Sequence, residues 1–134
     1  MPVNRRAFVT ASLGLLLAAG ASSAPHAAPA AFQPYTAEAF ARATKAGGPV
    51  FVHVYAPWCL QCRAQEGILS RVMTEPRFAG ATFLRVSYDG QKEVVDALKV
   101  PRSTLIAFKG TRETGRMSWG VTDDAVLKVL DSAY

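Results

Sequence analysis

Cysteine is scarce in this chain of 134 residues: Cys59 and Cys62 are the only two. That scarcity excludes a scaffold stapled by several disulfides and a self-contained four-cysteine zinc site. Acidic residues are missing from the first thirty positions, where Arg5 and Arg6 carry the only charges. A membrane span of about 20 apolar residues is missing as well, because the run from Ala7 to Ala21 is interrupted by Thr10, Ser12 and Gly14. Setting aside the two N-terminal arginines lowers the formal charge from +5 to +3, and the remaining Lys and Arg are interspersed with acids. A nucleic-acid binder would instead cluster its bases on one face, so no nucleic-acid partner is expected. What is present, 50% hydrophobic and 19% charged residues, fits one compact domain.

The N-terminus has the build of an export signal. A short basic region, Met1 to Thr10, precedes an Ala-, Leu- and Gly-rich stretch from Ala11 to Ala21 centred on Leu15-Leu16-Leu17. Ala28-Pro29-Ala30 supplies a small-x-small cleavage pattern, with Ala19-Gly20-Ala21 as an earlier alternative. The expected division is therefore a signal over residues 1–30 and a domain over residues 31–134, exported to the periplasm or otherwise outside the cytoplasm. Arg5-Arg6-Ala7-Phe8-Val9 resembles a twin-arginine signal. An ordinary secretory signal and an uncleaved anchor are the other two readings. In each of them the domain sits where disulfides form and persist.

Beyond Pro34, Thr36 can cap a helix running to about Ala46, with Phe40 and Ala43 on its inner face and Gly47-Gly48-Pro49 ending it. Val50-Phe51-Val52-His53-Val54-Tyr55 reads as a strand covered on both faces. A helix from Cys59 to about Thr74 follows, with Ala64, Ile68, Leu69, Val72 and Met73 at helical spacing. Thr82 to Tyr88 is the next strand, parallel to the first because the crossover between them is long. A short helix near Lys92 to Leu98 precedes a hairpin of Thr104–Phe108 and Glu113–Ser118 around the turn Lys109-Gly110-Thr111-Arg112. Thr122 can cap a last helix, with Asp123 and Asp124 at its positive end and Val126, Val129 and Leu130 facing inward. The pattern predicts an α/β fold: a mixed four- or five-stranded sheet flanked by helices.

Chemistry is expected at Trp58-Cys59-Leu60-Gln61-Cys62, where a buried strand gives way to a helix. Unpaired N–H groups and the helix dipole stabilise a thiolate there, and such cysteines fall from about 8.5 to roughly 3.5–7.5 in pKa. Cys59 is the expected nucleophile. Cys62, one turn on and on the same face, can resolve a mixed disulfide. An inert disulfide or half of a metal site is the alternative for the same pair.

These residues resemble the thioredoxin family over most of the chain, from about Tyr35 to Tyr134. Val50 to Cys62 is similar to that family's strand followed by Trp-Cys-x-x-Cys, Thr104 to Gly110 to its hairpin strand, and Trp119-Gly120 to the entry of its last helix. The resemblance implies a thioredoxin fold and thiol–disulfide exchange, with Cys59 attacking, Cys62 resolving and Trp58 shielding the pair. Arg63 matches a position often basic in the family, or is a solvated helix residue.

Four departures qualify the resemblance. The first strand has little room between Ala31 and Tyr35, and Leu60-Gln61 replaces Gly-Pro between the cysteines, which leaves the direction of electron flow open. His53 stands where thioredoxins carry a buried acid, as an acid-base group or a hydrogen-bonded core residue, and Gly67 replaces a helix-kinking proline. Finally, Ser103 falls where the family has a cis-proline, with Pro101 two residues early. The other alignment makes Pro101 that cis-proline after a two-residue insertion. With Ser103 in the slot, the preceding peptide bond is expected trans, because a non-proline cis bond costs about 2.5–4 kcal/mol, and Ser103→Pro is expected to restore a family-like groove.

The expected protein is thus an exported thiol–disulfide oxidoreductase acting on protein thiols, with no cofactor beyond its Cys59/Cys62 dithiol, a separate redox partner protein, no membrane association after signal cleavage, and a monomeric state. A metal or iron–sulfur module using the same cysteines, completed by a second subunit, is the alternative.

Overall fold

The computed structural model describes residues 30–134. Apart from Ala30, the expected export signal lies outside the described residues.

Five strands form one sheet in the order β1-β3-β2-β4-β5, which decides between the four- and five-stranded alternatives. β1 is the shortened edge, Phe32–Pro34, parallel to β3, Thr82–Ser87. The central β2, Pro49–Tyr55, runs parallel to β3 and antiparallel to β4, Thr104–Lys109. β4 pairs with β5, Arg112–Ser118, through a turn in which Gly110 takes φ +59°. Opposite Ala107 and Phe108 the register slips by one residue, so Thr114 is bulged out and its hydroxyl donates to the Ala107 carbonyl at 3.3 Å.

The helices begin where their capping residues stand. Thr36 Oγ1 accepts the Ala39 N–H at 3.0 Å and opens α1, Ala37–Lys45. Thr122 Oγ1 accepts the Ala125 N–H at 3.2 Å and opens α4, Asp123–Asp131. Between them lie α2, Leu60–Val72, a 3-10 turn at Pro76–Phe78, and α3, Lys92–Leu98. No helix among the described residues is long and apolar enough to cross a membrane.

The pleat of β2 divides its side chains between two cores. Val50, Val52 and Val54 join Leu84, Val86, Ile106 and Phe108 on the face covered by α1 and α3. Phe51 joins Leu69, Val72, Phe83, Leu105 and Leu130 on the face covered by α2 and α4. His53 shares the pleat face of Phe51, and so points under α2. The buried face of α2 runs through Cys62, Gln65, Ile68, Leu69 and Val72. Here the structure corrects the sequence reading: Ala64 is exposed and Gln65 is fully buried. A glutamine is accepted inside because every polar atom of its amide finds a partner, as the site makes clear.

Candidate active site

Cys59 is the N-cap of α2, with extended backbone, and its Sγ accepts the Cys62 N–H at 3.2 Å. The sulfur therefore occupies the place of a capping oxygen and faces the positive end of the helix. Both cysteines are free thiols, and both are buried, Cys59 at 2% exposure. They titrate apart. Burial works against the Cys59 thiolate, but is outweighed by hydrogen bonds from the Cys62 thiol and the Cys62 N–H and by the bond and charge of Arg102, so Cys59 lies below the ordinary thiol range. Burial pushes Cys62 up, and its bond to Cys59 and that neighbour's charge push it further, against weaker opposing bonds from the backbone of Ala56 and Ser103. The Cys62 thiol also lies 3.8 Å from the Val54 carbonyl. The pair is thus arranged as a poised nucleophile in front of a protonated thiol.

Trp58 is 56% exposed and is held by its Nε1–H, which donates to Asp89 Oδ2 at 2.8 Å, and by an edge contact with Tyr88. Arg63 is exposed on α2. The cation beside Cys59 is Arg102, whose guanidinium lies 4.9 Å from the centroid of Trp58 and 4.9 Å from that of Trp119. Sequence reasoning missed Arg102, and its only signal was adjacency to Ser103 in the loop expected to face the cysteines.

Ser103 is fully buried and its backbone lies against Cys62, whereas Pro101 is exposed and all peptide bonds among the described residues are trans. Ser103 has φ +59°, in the left-handed region, and its N–H donates to the Val54 carbonyl at 3.0 Å. Both facts overturn the expectation for Ser103→Pro: proline needs φ near −65° and has no N–H to give. Trp119 is left-handed too, at φ +68°, and its N–H donates to the Ser103 carbonyl at 2.8 Å. The bond stitches the loop before β4 to the loop before α4.

Gln65 completes the clamp from below. Its Nε2 donates to the Ser103 carbonyl at 3.1 Å and to the Gly120 carbonyl at 2.8 Å, and its Oε1 meets His53 Nε2 at 3.0 Å. With the amide nitrogen committed to two carbonyls, Oε1 is the acceptor, so His53 carries its proton on Nε2. His53 Nδ1 and Ser103 Oγ are buried without a partner. Burial pushes the pKa of His53 down to about 4, the bond to Gln65 and the nearby Glu66 opposing this and Arg85 adding to it. His53 is therefore neutral near pH 7 and reaches the dithiol's helix through Gln65. Gly120 has no room for a side chain: a Cβ there would collide with Met117 Sδ and stand 3.0 Å from the Ala125 Cβ.

Among the described residues, no group of three or more His, Cys, Asp or Glu could hold a metal ion. A metal on Cys59 and Cys62 would need ligands from elsewhere.

A family profile described as Thioredoxin matches residues 31–132. The crystal structure of Trxlp from Edwardsiella tarda EIB202 is similar at TM-score 0.71 and 32% identity, covering 75% of this chain and 98% of that one. A thioredoxin of Malassezia sympodialis gives TM-score 0.68 at 17% identity, covering 81% and 96%. A mutant thioredoxin of Halobacterium salinarum NRC-1 gives 0.67 at 19%, covering 81% and 95%. These last two show likeness of fold. A search of curated proteins found no match.

Proposed function

Since the chain belongs to the thioredoxin family, we propose that it is a thiol–disulfide oxidoreductase that exchanges disulfides with protein thiols outside the cytoplasm. The observation that carries the reading is the placement of Cys59 as the N-cap of α2, its Sγ accepting the Cys62 N–H at 3.2 Å, with the Cys62 thiol buried one turn on. Cys59 as thiolate attacks a substrate disulfide, one sulfur of which leaves as thiolate. The Cys62 thiol then loses its proton, attacks Cys59 and releases the second substrate thiolate, so two electrons pass from the dithiol to the substrate. Run backwards, the same steps oxidise a dithiol. A redox partner protein with its own dithiol or disulfide restores the starting state. A stabilised Cys59 thiolate favours the reduced form, which raises the potential. Support for export comes from the basic and apolar pattern before Ala31.

Turnover of a protein disulfide by the purified full chain is the test. Cys59→Ser should abolish it, and Cys62→Ser should accumulate mixed disulfides. Equal activity of wild type and Cys59→Ser would overturn the reading. Equilibration with glutathione then places the pair between reductants near about −270 mV and oxidants near about −120 mV. In cell fractions, the chain should be recovered outside the cytoplasm beginning at Ala31, and recovery in the cytosol would overturn the location.

A further inference from the structure

Among the described residues, Arg85 and Arg102 are the two arginines that are neither exposed nor fully covered. Arg85 has a carboxylate, Glu66, at 3.0 Å. Among the described residues Arg102 has no ion pair, and its buried Nε has no hydrogen-bond partner there. A cation drawn out of water is costly unless compensated. Two indole faces, Trp58 and Trp119, supply part of the compensation. The guanidinium also adjoins Cys59, whose sulfur, once ionised, sets a negative charge against it. On the Trp58 side, Asp89 Oδ2 accepts the indole Nε1–H at 2.8 Å.

That charge does not outlast the first chemical step. When Cys59 attacks a disulfide, a new S–S bond forms to Cys59, the old one breaks, and the electron pair and negative charge leave with the other substrate sulfur. Arg102 is then a half-buried cation with no anion beside it, at the moment the substrate is covalently attached. A carboxylate carried by the substrate close to its attached sulfur would replace the lost charge and hold the intermediate until Cys62 closes the ring.

Building on the oxidoreductase reading, we propose that Arg102, clamped between Trp58 and Trp119 beside Cys59, determines specificity by selecting disulfides that bear a carboxylate next to the reacting sulfur. An acidic side chain flanking a peptide cysteine and the free carboxylate of a small thiol share this chemistry. Leu60, next to Cys59 in the chain, and Trp119 and Val121, in the loop before α4, are exposed apolar side chains that suit the remainder of such a substrate.

The test compares three small disulfides of similar size with the reduced full chain: dianionic 3,3′-dithiodipropionate, neutral bis(2-hydroxyethyl) disulfide and dicationic cystamine. Wild type should prefer the anionic to the cationic one by about tenfold, as expected for charges partly shielded from water. Arg102→Gln should bring the ratio close to one while the neutral disulfide still reacts. The ratio is taken at one pH, so any change in the thiolate fraction cancels. Salt should narrow it, because screening shortens from about 10 Å at 0.1 M to about 3 Å at 1 M. A second arm uses peptide disulfides flanked by Asp or by Lys. Preference in the peptide arm alone assigns the site to polypeptide substrates, and preference in the small-molecule arm assigns it to low-molecular-weight thiols as well. An anion-to-cation ratio near one in wild type in both arms, or one unchanged in Arg102→Gln, overturns the inference. Failure of the neutral disulfide to react with wild type would instead overturn the oxidoreductase reading.

Discussion

Burial at His53 outweighs everything else around it and pushes its pKa to about 4. The ordinary value in an unfolded chain is about 6.5, so between these two values the unfolded state takes up a proton that the folded state refuses. The associated stability is fully present above pH 6.5 and is lost as the pH falls towards 4, about 3 kcal/mol in all. Urea unfolding at pH 7 and pH 4.5 should show that loss, and His53→Asn should remove most of the pH dependence whatever it does to stability at pH 7. The same depressed value argues that the exchange rate should show no His53-dependent break near neutral pH. A break near pH 6.5 that vanishes in His53→Asn would restore the acid-base role. At the cysteines, iodoacetamide should modify Cys59 before Cys62, and at a pH below the ordinary thiol range, since Arg102 and the Cys62 donors stabilise its thiolate. Peptide mapping after limited alkylation reads this out.

Elements were legible where the chain states its own boundaries. Thr36 and Thr122 cap the helices assigned to them, the β-branched run of β2 is buried along its length, and the short β1 follows from the few residues before Tyr35. The dithiol was legible because its spacing and its strand-to-helix setting lie within a few adjacent residues. Gln65 and Arg102 were not legible. A polar residue on an amphipathic helix reads as solvated until its partners are known, and those of Gln65 lie at Ser103 and Gly120, far along the chain. Arg102 acquires its meaning only when β4 brings it back to Cys59. Gln65→Leu keeps the volume and strands the Gly120 carbonyl, and should cost about 1–3 kcal/mol in denaturant unfolding. Ser103→Pro should cost about 3 kcal/mol or more, through the lost bond to Val54 and the wrong φ. Ser103→Gly, free to keep φ +59°, should be much milder than either.

On the scale of the molecule, β2 is the shared wall of two cores, and the active site stands at its C-terminal end. Phe51, 1% exposed, touches Phe83 with ring centroids 4.9 Å apart and Phe78 at 6.3 Å. Phe51→Ala should therefore destabilise the fold by about 3–5 kcal/mol. Leu60→Ala at 73% exposure should stay within about 0.5 kcal/mol of wild type, although it stands beside Cys59. Chemical denaturation of the two variants separates a residue that holds the fold from one that only borders the site.

The bond from the Trp119 N–H to the Ser103 carbonyl joins two left-handed residues that lie in different loops. Each conformation is sterically unfavourable for a side-chain-bearing residue, so each loop holds its shape partly because the other does. The two loops consequently form one structural part. A cis-proline segment transplanted from a relative into residues 100–103 alone would find Trp119 and Gly120 shaped for a different neighbour. Exchange of both loops together, with a residue at position 65 matched to them, is the smallest graft this architecture should accept.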